Sequence, residues 1–217
     1  MPTVNEFELQ EFRDWKFRFR PATATPSRLA VLLHGFTGDE NSMWIFSRKL
    51  PARMAVLAPR GIYLQQEGGY SWRKRQPGNL SLPTLEDLCP AAEALIRFID
   101  DWPGSAGGFD NQIDLIGFSQ GAALAYTLAL LFPDRIRALA ALSGFLPGGT
   151  DGLINSHILA GKSIFIAHGR QDNLVPVENA RKTVTLLERS GARVKYCESN
   201  LGHKVNVTCF SEMSDIF

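Results

Sequence analysis

The sequence Gly117-Phe118-Ser119-Gln120-Gly121 separates two different hydrophobic patterns. A short apolar run at residues 113–116 precedes it, and a segment rich in alanine and leucine follows it at residues 122–131. This order predicts a strand, a sharp turn and a helix, with the Ser119 hydroxyl presented at the edge of a sheet as a candidate nucleophile. The two glycines fit this turn, since a side chain at either position would collide with the neighbouring strand or helix. The alternative is an ordinary loop of glycine and serine.

Length and composition are those of a soluble globular protein. The chain has 217 residues, which suits a single domain spanning residues 1–217. Hydrophobic residues make up 45% and charged residues 21%, and the net charge of +1 gives no basic footprint for nucleic acid or an anionic membrane. The basic cluster Arg73-Lys74-Arg75 could meet an acidic substrate, but so short a cluster favours a solvated loop.

Neither the cysteines nor the N-terminal segment points to secretion. Cys89, Cys197 and Cys209 are widely spaced, odd in number and lack a C-x-x-C pair, so we expect no metal site and a reducing, cytoplasmic location. Residues 1–20 carry several acidic side chains among the apolar ones. They therefore form neither a signal-peptide core nor a membrane span, and we expect no stable membrane insertion.

Apolar runs and helical segments alternate along the chain. Residues 7–12 and 15–19 alternate apolar and polar side chains, which predicts an antiparallel pair of strands. Apolar runs of the kind buried on both faces of a sheet follow at residues 29–33, 54–58, 113–116, 136–142 and 164–167, with a weaker one at 193–197. Helices are predicted at residues 42–50, 85–101, 120–131 and 177–190. The alternation predicts an α/β fold with a mostly parallel central sheet and helices on both faces.

A long segment without periodicity lies at residues 62–83. Loops of this length in a compact domain are commonly binding loops, and the aromatic side chains Tyr63, Tyr70 and Trp72 favour that interpretation here. Helical insertions large enough for a separate cap domain are not predicted between the strands. An active site in this fold would therefore be open.

Two downstream residues could activate Ser119. A serine hydroxyl needs a base to remove its proton and a third group to orient that base. Asp172 follows the apolar run that ends at residue 167, and His203 follows the last predicted strand. Because loops at the carboxyl ends of parallel strands gather on one edge of the sheet, we expect Ser119, Asp172 and His203 to converge as a catalytic triad. The alternatives are a helix-capping Asp172 and an ordinary surface His203.

A fourth element would stabilise the charge that develops during acyl transfer. The segment His34-Gly35-Phe36-Thr37-Gly38 follows an early predicted strand. In α/β-hydrolases one oxyanion donor is the N–H of the residue after the nucleophile and another comes from such a loop. The backbone N–H groups of Phe36 and Gln120 are the expected donors, and His34 is expected to support the loop.

Several short motifs occur in the order found in a known family. They are His34-Gly35, Ala58-Pro59-Arg60, Gly117 to Gly121, His168-Gly169 with Asp172 and Val175-Pro176, and Gly202-His203. Over most of its length the chain thus resembles the phospholipase/carboxylesterase family of α/β-hydrolases, which includes the acyl-protein thioesterases. The resemblance implies a compact hydrolase of the α/β-hydrolase fold, with no large cap domain and no cofactor, that cleaves carboxylic esters or thioesters.

One difference from the thioesterases concerns the substrate pocket. Relatives of the acyl-protein thioesterases usually have H-G-L-G-D where this chain has Phe36 and Thr37, which bears on the shape of the acyl pocket. Trp72 lies where such enzymes often carry an aromatic-containing substrate segment and is a candidate substrate-binding residue. The alternative for Trp72 is an aromatic plug that closes the core beneath the loop.

These observations predict a serine hydrolase that cleaves carboxylic esters with short to medium acyl chains, on a small-molecule or lipid ester substrate. One alternative is a lysophospholipase or acyl-protein thioesterase that acts on long chains. Another is a non-catalytic ligand-binding relative. A dinucleotide-binding domain is disfavoured because the turn after residue 116 lacks the G-x-G-x-x-G pattern.

Overall fold

The computed structural model describes residues 9–23, 27–74, 81–104, 109–205 and 207–217. Its main sheet consists of β1 (Leu9–Phe12), β2 (Trp15–Arg20), β3 (Ser27–Leu33), β4 (Met54–Pro59), β7 (Phe109–Phe118), β8 (Ile136–Leu142), β9 (Ser163–Gly169) and β10 (Arg193–Ser199). Their spatial order is β1-β2-β4-β3-β7-β8-β9-β10. β2 pairs antiparallel with β1 and β4, and the other neighbours pair in parallel. The predicted mostly parallel sheet with antiparallel N-terminal strands is confirmed, although residues 7 and 8 of the first predicted strand lie outside the described ranges.

Five α-helices accompany the sheet in the described residues: α1 (Leu85–Asp101), α2 (Gln120–Leu131), α3 (Asp151–Asn155), α4 (Val177–Arg189) and α5 (Val207–Glu212). Short 3-10 helices lie at Trp44–Lys49, Pro133–Arg135 and Met213–Ile216. The helix predicted at residues 42–50 is thus a shorter 3-10 helix, and α3 and α5 were not predicted because they are too short to show a helical period. Within the described residues, no helix is long and apolar enough to cross a bilayer.

The central strands are buried on both faces, as their uninterrupted apolar sequences predict. In β3, the side chains of Leu29, Val31 and Leu33 pack in the cluster that includes α1, α2 and α4, whereas Ala30 and Leu32 belong to the cluster on the opposite face. Shorter elements cover that second face. Phe46 of the first 3-10 helix stacks there on Phe210 of α5, with ring centroids 4.6 Å apart.

The long segment after β4 contains a small hairpin in its described part. β5 (Tyr63–Leu64) pairs antiparallel with β6 (Tyr70–Ser71), and the Tyr70 N–H donates to the Gly38 carbonyl at 2.9 Å. Strands of two residues are too short to show alternation, so the sequence predicted only an aperiodic loop. The hairpin lies against the loop that follows β3.

A disulfide bond joins the last strand to the last α-helix. Cys197 in β10 and Cys209 in α5 are bonded, with 5.7 Å between their Cα atoms, whereas Cys89 is a free thiol. The bridge closes the segment that contains His203. The sequence did not indicate this pair because its spacing matches no motif, and a disulfide argues against the reducing surroundings predicted from the cysteines.

Candidate active site

Ser119 occupies the turn between β7 and α2. Its backbone has φ 53° and ψ −116°, a conformation that costs free energy in any residue with a side chain. The surrounding backbone fixes it, because the Ser119 N–H donates to the Leu142 carbonyl at 2.9 Å and the Ser119 carbonyl accepts from the Ala122 N–H at 3.0 Å. This is the strained strand-to-helix turn that the pentapeptide predicts.

The two glycines of the turn lie in direct backbone contact with their neighbours. A Cβ atom at Gly121 would lie 2.2 Å from the Leu33 carbonyl oxygen and 2.4 Å from that of His34. A Cβ atom at Gly117 would lie 2.3 Å from the Gly121 carbonyl oxygen. The start of α2 is therefore pressed against the end of β3, which brings the loop after β3 beside Ser119.

Gly121→Ala is expected to destabilise the protein by about 3 kcal/mol or more, because the added methyl group meets backbone atoms of Leu33 and His34 at the end of β3. The matched control is Gly152→Ala in α3, where an added Cβ meets nothing within 4 Å. Alanine favours a helix over glycine by up to about 1 kcal/mol, so the control should unfold at the same or higher urea concentration than the parent chain. Equal unfolding midpoints for the two variants would contradict the close contact at Gly121.

Asp172 and His203 form a hydrogen-bonded pair. The Nδ1 atom of His203 lies 2.7 Å from Oδ2 of Asp172, and the other carboxylate oxygen, Oδ1, accepts the N–H groups of Leu174 at 3.0 Å and Val175 at 2.8 Å. The Asp172 side chain is completely buried. Since an ionised carboxylate only accepts, Nδ1 of His203 carries the proton and its Nε2 is left as a base.

A second histidine supports this aspartate and was not predicted as a site residue. His168 is buried at the end of β9, and its Nε2 donates to the Val175 carbonyl at 2.8 Å while lying 3.3 Å from Oδ2 of Asp172. His168 therefore fixes the turn that presents Asp172. The sequence feature that could have indicated this role is the position of His168 at the end of a predicted strand, four residues before Asp172.

The loop after β3 approaches Ser119 with Phe36 at its tip. Thr37 has φ 61°, and the Gly38 N–H donates to the Gly35 carbonyl at 3.1 Å, so the loop is a tight, strained turn. Gln120 is the first residue of α2, and an N–H group in the first turn of a helix has no acceptor within the helix. These unpaired N–H groups make the start of α2 its positive end, which favours a negative charge beside Ser119.

His34 holds the base of the same loop as a neutral side chain. Its Nε2 accepts the Gly61 N–H at 2.8 Å, so Nδ1 carries the proton and donates to the Gly35 carbonyl at 2.7 Å. Burial lowers the pKa of His34 to about 4, which keeps the ring neutral at pH 7. Both ring nitrogens are occupied, so His34 has the supporting position predicted for it and is not free to act as a base.

Trp72 lies beneath the site, outside the set of side chains that line the cavity. It has no exposed surface, its ring packs 4.7 Å from the His34 ring, and its Nε1–H donates to the His34 carbonyl at 2.9 Å. The prediction of a substrate contact is therefore replaced by its alternative, an aromatic plug. Trp72 can be buried in this way because its only polar side-chain group, Nε1–H, has an acceptor in the core, the His34 carbonyl.

The Gln120 side chain fixes the segment at the end of β6 that carries Trp72. Its Oε1 accepts the Trp72 N–H at 2.9 Å and the Ser71 hydroxyl at 3.1 Å. Gln120 thus uses its side chain to hold Ser71 and Trp72 in place. The sequence predicted a role only for the backbone N–H of Gln120.

One cavity of about 380 Å³ brings most of these groups together. Ser119, His203, Phe36 and Gln120 line it, and Asp172 lies behind His203. The remaining lining residues are largely apolar: Gly35, Thr37, Arg73, Ser81, Leu82, Pro83, Phe118, Phe145, Leu174 and Val175. Among the residues that the structure describes, no group of three His, Cys, Asp or Glu side chains could hold a metal ion.

Comparison with known proteins gives consistent similarities. The sequence pattern of the phospholipase/carboxylesterase family matches residues 20–216. A "probable inactive carboxylesterase" of Oryza sativa subsp. japonica is 27% identical over 207 residues, covering 85% of this chain and 82% of the relative. Acyl-protein thioesterase 1 of Yarrowia lipolytica is 26% identical, covering 71% and 74%. The crystal structure of the Bacillus cereus carboxylesterase superposes with a TM-score of 0.79 at 25% identity, covering 93% and 92%.

Proposed function

Because the chain belongs to the phospholipase/carboxylesterase family of hydrolases, we propose that it is a serine hydrolase that cleaves carboxylic esters with short to medium acyl chains. One observation carries the proposal. Ser119 and His203 line the same cavity, and Asp172 holds His203 in the tautomer whose Nε2 can accept a proton. A strained serine at the positive end of a helix is the arrangement of the nucleophile in α/β-hydrolases.

The proposed reaction has two symmetrical halves. Nε2 of His203 takes the proton of the Ser119 hydroxyl, and Oγ forms a bond to the ester carbonyl carbon while the carbonyl electron pair moves to the oxygen. The N–H groups of Phe36 and Gln120 hold that oxyanion, and each such donor contributes about two to three orders of magnitude in rate. The ester C–O bond then breaks, and His203 gives its proton to the leaving alcohol. Water repeats the sequence on the acyl-enzyme and releases the acid.

The size and lining of the cavity support a short or medium acyl group. A volume of about 380 Å³ lies near the lower end of the roughly 300–1,000 Å³ typical of small-molecule sites. Phe145, Leu174 and Val175 supply apolar surface for a few methylene groups. No cofactor takes part in the proposed reaction.

Two other functions of the same fold define the outcomes of a test. An acyl-protein thioesterase or lysophospholipase would prefer long chains, as the name of the Yarrowia lipolytica relative suggests. A non-catalytic protein would resemble the rice relative, which is described as inactive. The hydrogen-bonded Asp172–His203 pair beside Ser119 favours the catalytic function over the latter.

A p-nitrophenyl ester series from acetate to palmitate, together with fluorophosphonate labelling, tests this proposal. We expect kcat/KM to rise from acetate to the four- to six-carbon esters, by at most about fourfold for each buried methylene group, and to fall for palmitate. Mass spectrometry should place the phosphonate on Ser119. A preference for palmitate or a palmitoyl thioester would favour the long-chain alternative, and an unlabelled, inactive protein would favour the non-catalytic one.

The predicted location and domain count remain predictions. A cytoplasmic location was inferred from the cysteines, and the Cys197–Cys209 disulfide bond weakens that basis. A single domain over residues 1–217 is also still a prediction. It is supported by the main sheet, which combines strands from β1 near the start of the described residues to β10 near their end.

A further inference from the structure

A buried arginine lines the cavity beside Ser119 and His203. Arg73 is 6% exposed, whereas the next residue, Lys74, is exposed and Arg75 lies outside the described residues. The sequence prediction of a solvated basic loop is therefore wrong for Arg73. A guanidinium group that is withdrawn from water and faces an apolar cavity is costly unless its charge and its donors are satisfied.

The contacts of Arg73 leave part of its hydrogen-bonding capacity unused. Nη1 donates to Oδ2 of Asp87 at 3.2 Å, and Nη2 donates to the Ser81 carbonyl at 2.5 Å. The buried Nε–H has no hydrogen-bond partner in the described part of the chain. Native proteins rarely leave such a donor unpaired, so the described residues do not satisfy the whole guanidinium group of Arg73.

The charge of Arg73 is only partly balanced by its neighbour. The Asp87 side chain is 40% exposed, against 7% for Arg73, and the Asp87 oxygen that contacts Arg73 also accepts the Thr84 N–H at 2.9 Å. Water screens the exposed carboxylate more strongly than the buried cation. The described residues that line the cavity include no Asp or Glu. The cavity is therefore a cationic environment.

A short hydrogen-bonded link ties Arg73 to the nucleophile. The N–H of the preceding residue, Trp72, donates to the side chain of Gln120, and Gln120 follows Ser119 directly. Both ends of the link are buried. Arg73 is thus held at a fixed position in the wall of the cavity that contains Ser119, and one small molecule could contact both residues.

We propose that Arg73 is a specificity-determining residue and that the substrate is a carboxylic ester whose acyl group carries a second, ionised carboxylate. The carboxylate pairs with the positive charge of the Arg73 guanidinium group in the cavity wall, while the ester carbonyl lies at Ser119. This inference rests on the proposed hydrolase function and names the substrate class for that site.

A pair of isosteric esters tests the proposal. The mono-p-nitrophenyl ester of adipic acid carries the carboxylate, and p-nitrophenyl 6-methylheptanoate carries an isopropyl group in its place. We expect a kcat/KM ratio in favour of the adipate ester of about 10- to 100-fold, the range of one charge-assisted hydrogen bond. Arg73→Met should remove this preference and Arg73→Lys should keep part of it. Lys74→Met, which removes an exposed cation outside the cavity, should leave the ratio as it is in the parent protein.

The outcomes separate this proposal from the hydrolase function. Calorimetric titration with the corresponding p-nitroanilides of adipic and 6-methylheptanoic acid measures the same preference without turnover. Binding that favours the anionic anilide and is lost in Arg73→Met would support the anion site even if both esters resisted hydrolysis. Hydrolysis of both esters at equal kcat/KM, or an equal loss for both in Arg73→Met, would show that Arg73 merely straps the loop to α1 and would overturn the proposal.

Discussion

Ser119→Ala is expected to lower kcat for p-nitrophenyl butyrate by about four to six orders of magnitude, because the Oγ that forms the acyl-enzyme is removed. The change should leave the fold intact. Alanine keeps the Cβ atom and the same strained backbone at φ 53°, and the backbone hydrogen bonds to Leu142 and from Ala122 do not involve the side chain. Activity remaining in the variant would come from the oxyanion donors and from substrate binding.

Steady-state hydrolysis, fluorophosphonate labelling and the thermal unfolding midpoint would be compared in the same preparation. Ser156→Ala is the matched control, since Ser156 is an exposed serine after α3 whose hydroxyl donates to the Leu153 carbonyl. The control should keep full activity and labelling. If Ser119→Ala retained a tenth or more of the parent kcat, Ser119 would not be the nucleophile and the proposed mechanism would fail.

Asp172→Asn is expected to reduce kcat by about ten-thousand-fold through the tautomer of His203. Oδ1 of Asp172 accepts two backbone N–H groups, from Leu174 and Val175, so the asparagine must place its carbonyl oxygen at that position. Its NH₂ group then faces Nδ1 of His203, which has to accept rather than donate. The ring proton moves to Nε2, and His203 loses the lone pair that would take the proton of Ser119.

This variant should bind substrate and fold as the parent does, because asparagine matches the shape of aspartate and satisfies both N–H groups. The effect should therefore fall on kcat rather than on KM. Asp151→Asn, an exposed residue at the start of α3, provides the control with the same chemical change. A kcat within tenfold of the parent value would mean that His203 does not depend on Asp172 for its orientation.

The sequence predicted the sheet well because the central strands are buried on both faces. Uninterrupted apolar runs such as residues 29–33 and 164–167 are typical of covered parallel strands in a chain where strands and helices alternate. The predicted helix at residues 42–50 is a shorter 3-10 helix, Trp44–Lys49. The two-residue strands β5 and β6 escaped prediction because a single period of alternation cannot be recognised as a pattern. The helices α3 and α5 escaped it because each has fewer residues than two helical turns.

The orientations of Trp72 and Arg73 could not be predicted from the sequence. Both residues lie in the segment 62–83, which has no hydrophobic periodicity. Neither the order of its apolar residues nor its charges indicated which side chains face the core. The structure places the Trp72 indole against His34 and the Arg73 guanidinium in the cavity wall. Hydrogen bonds to residues 38 and 14 positions away in the chain, the His34 carbonyl and Asp87, decide these orientations. Such partners are invisible in a local window.

Short-range patterns were enough to predict the α/β fold, the turn at Ser119 and the order of the candidate triad. Each depends on features that a local stretch of sequence contains: the burial of a strand, the steric needs of two glycines, and loops at strand ends. Three other features became apparent only in the folded chain, which pairs Cys197 with Cys209, brings His168 to the back of Asp172 and withdraws Arg73 from water. Burial and unpaired donors are properties of packed neighbours, and packed neighbours are seldom neighbours in the chain.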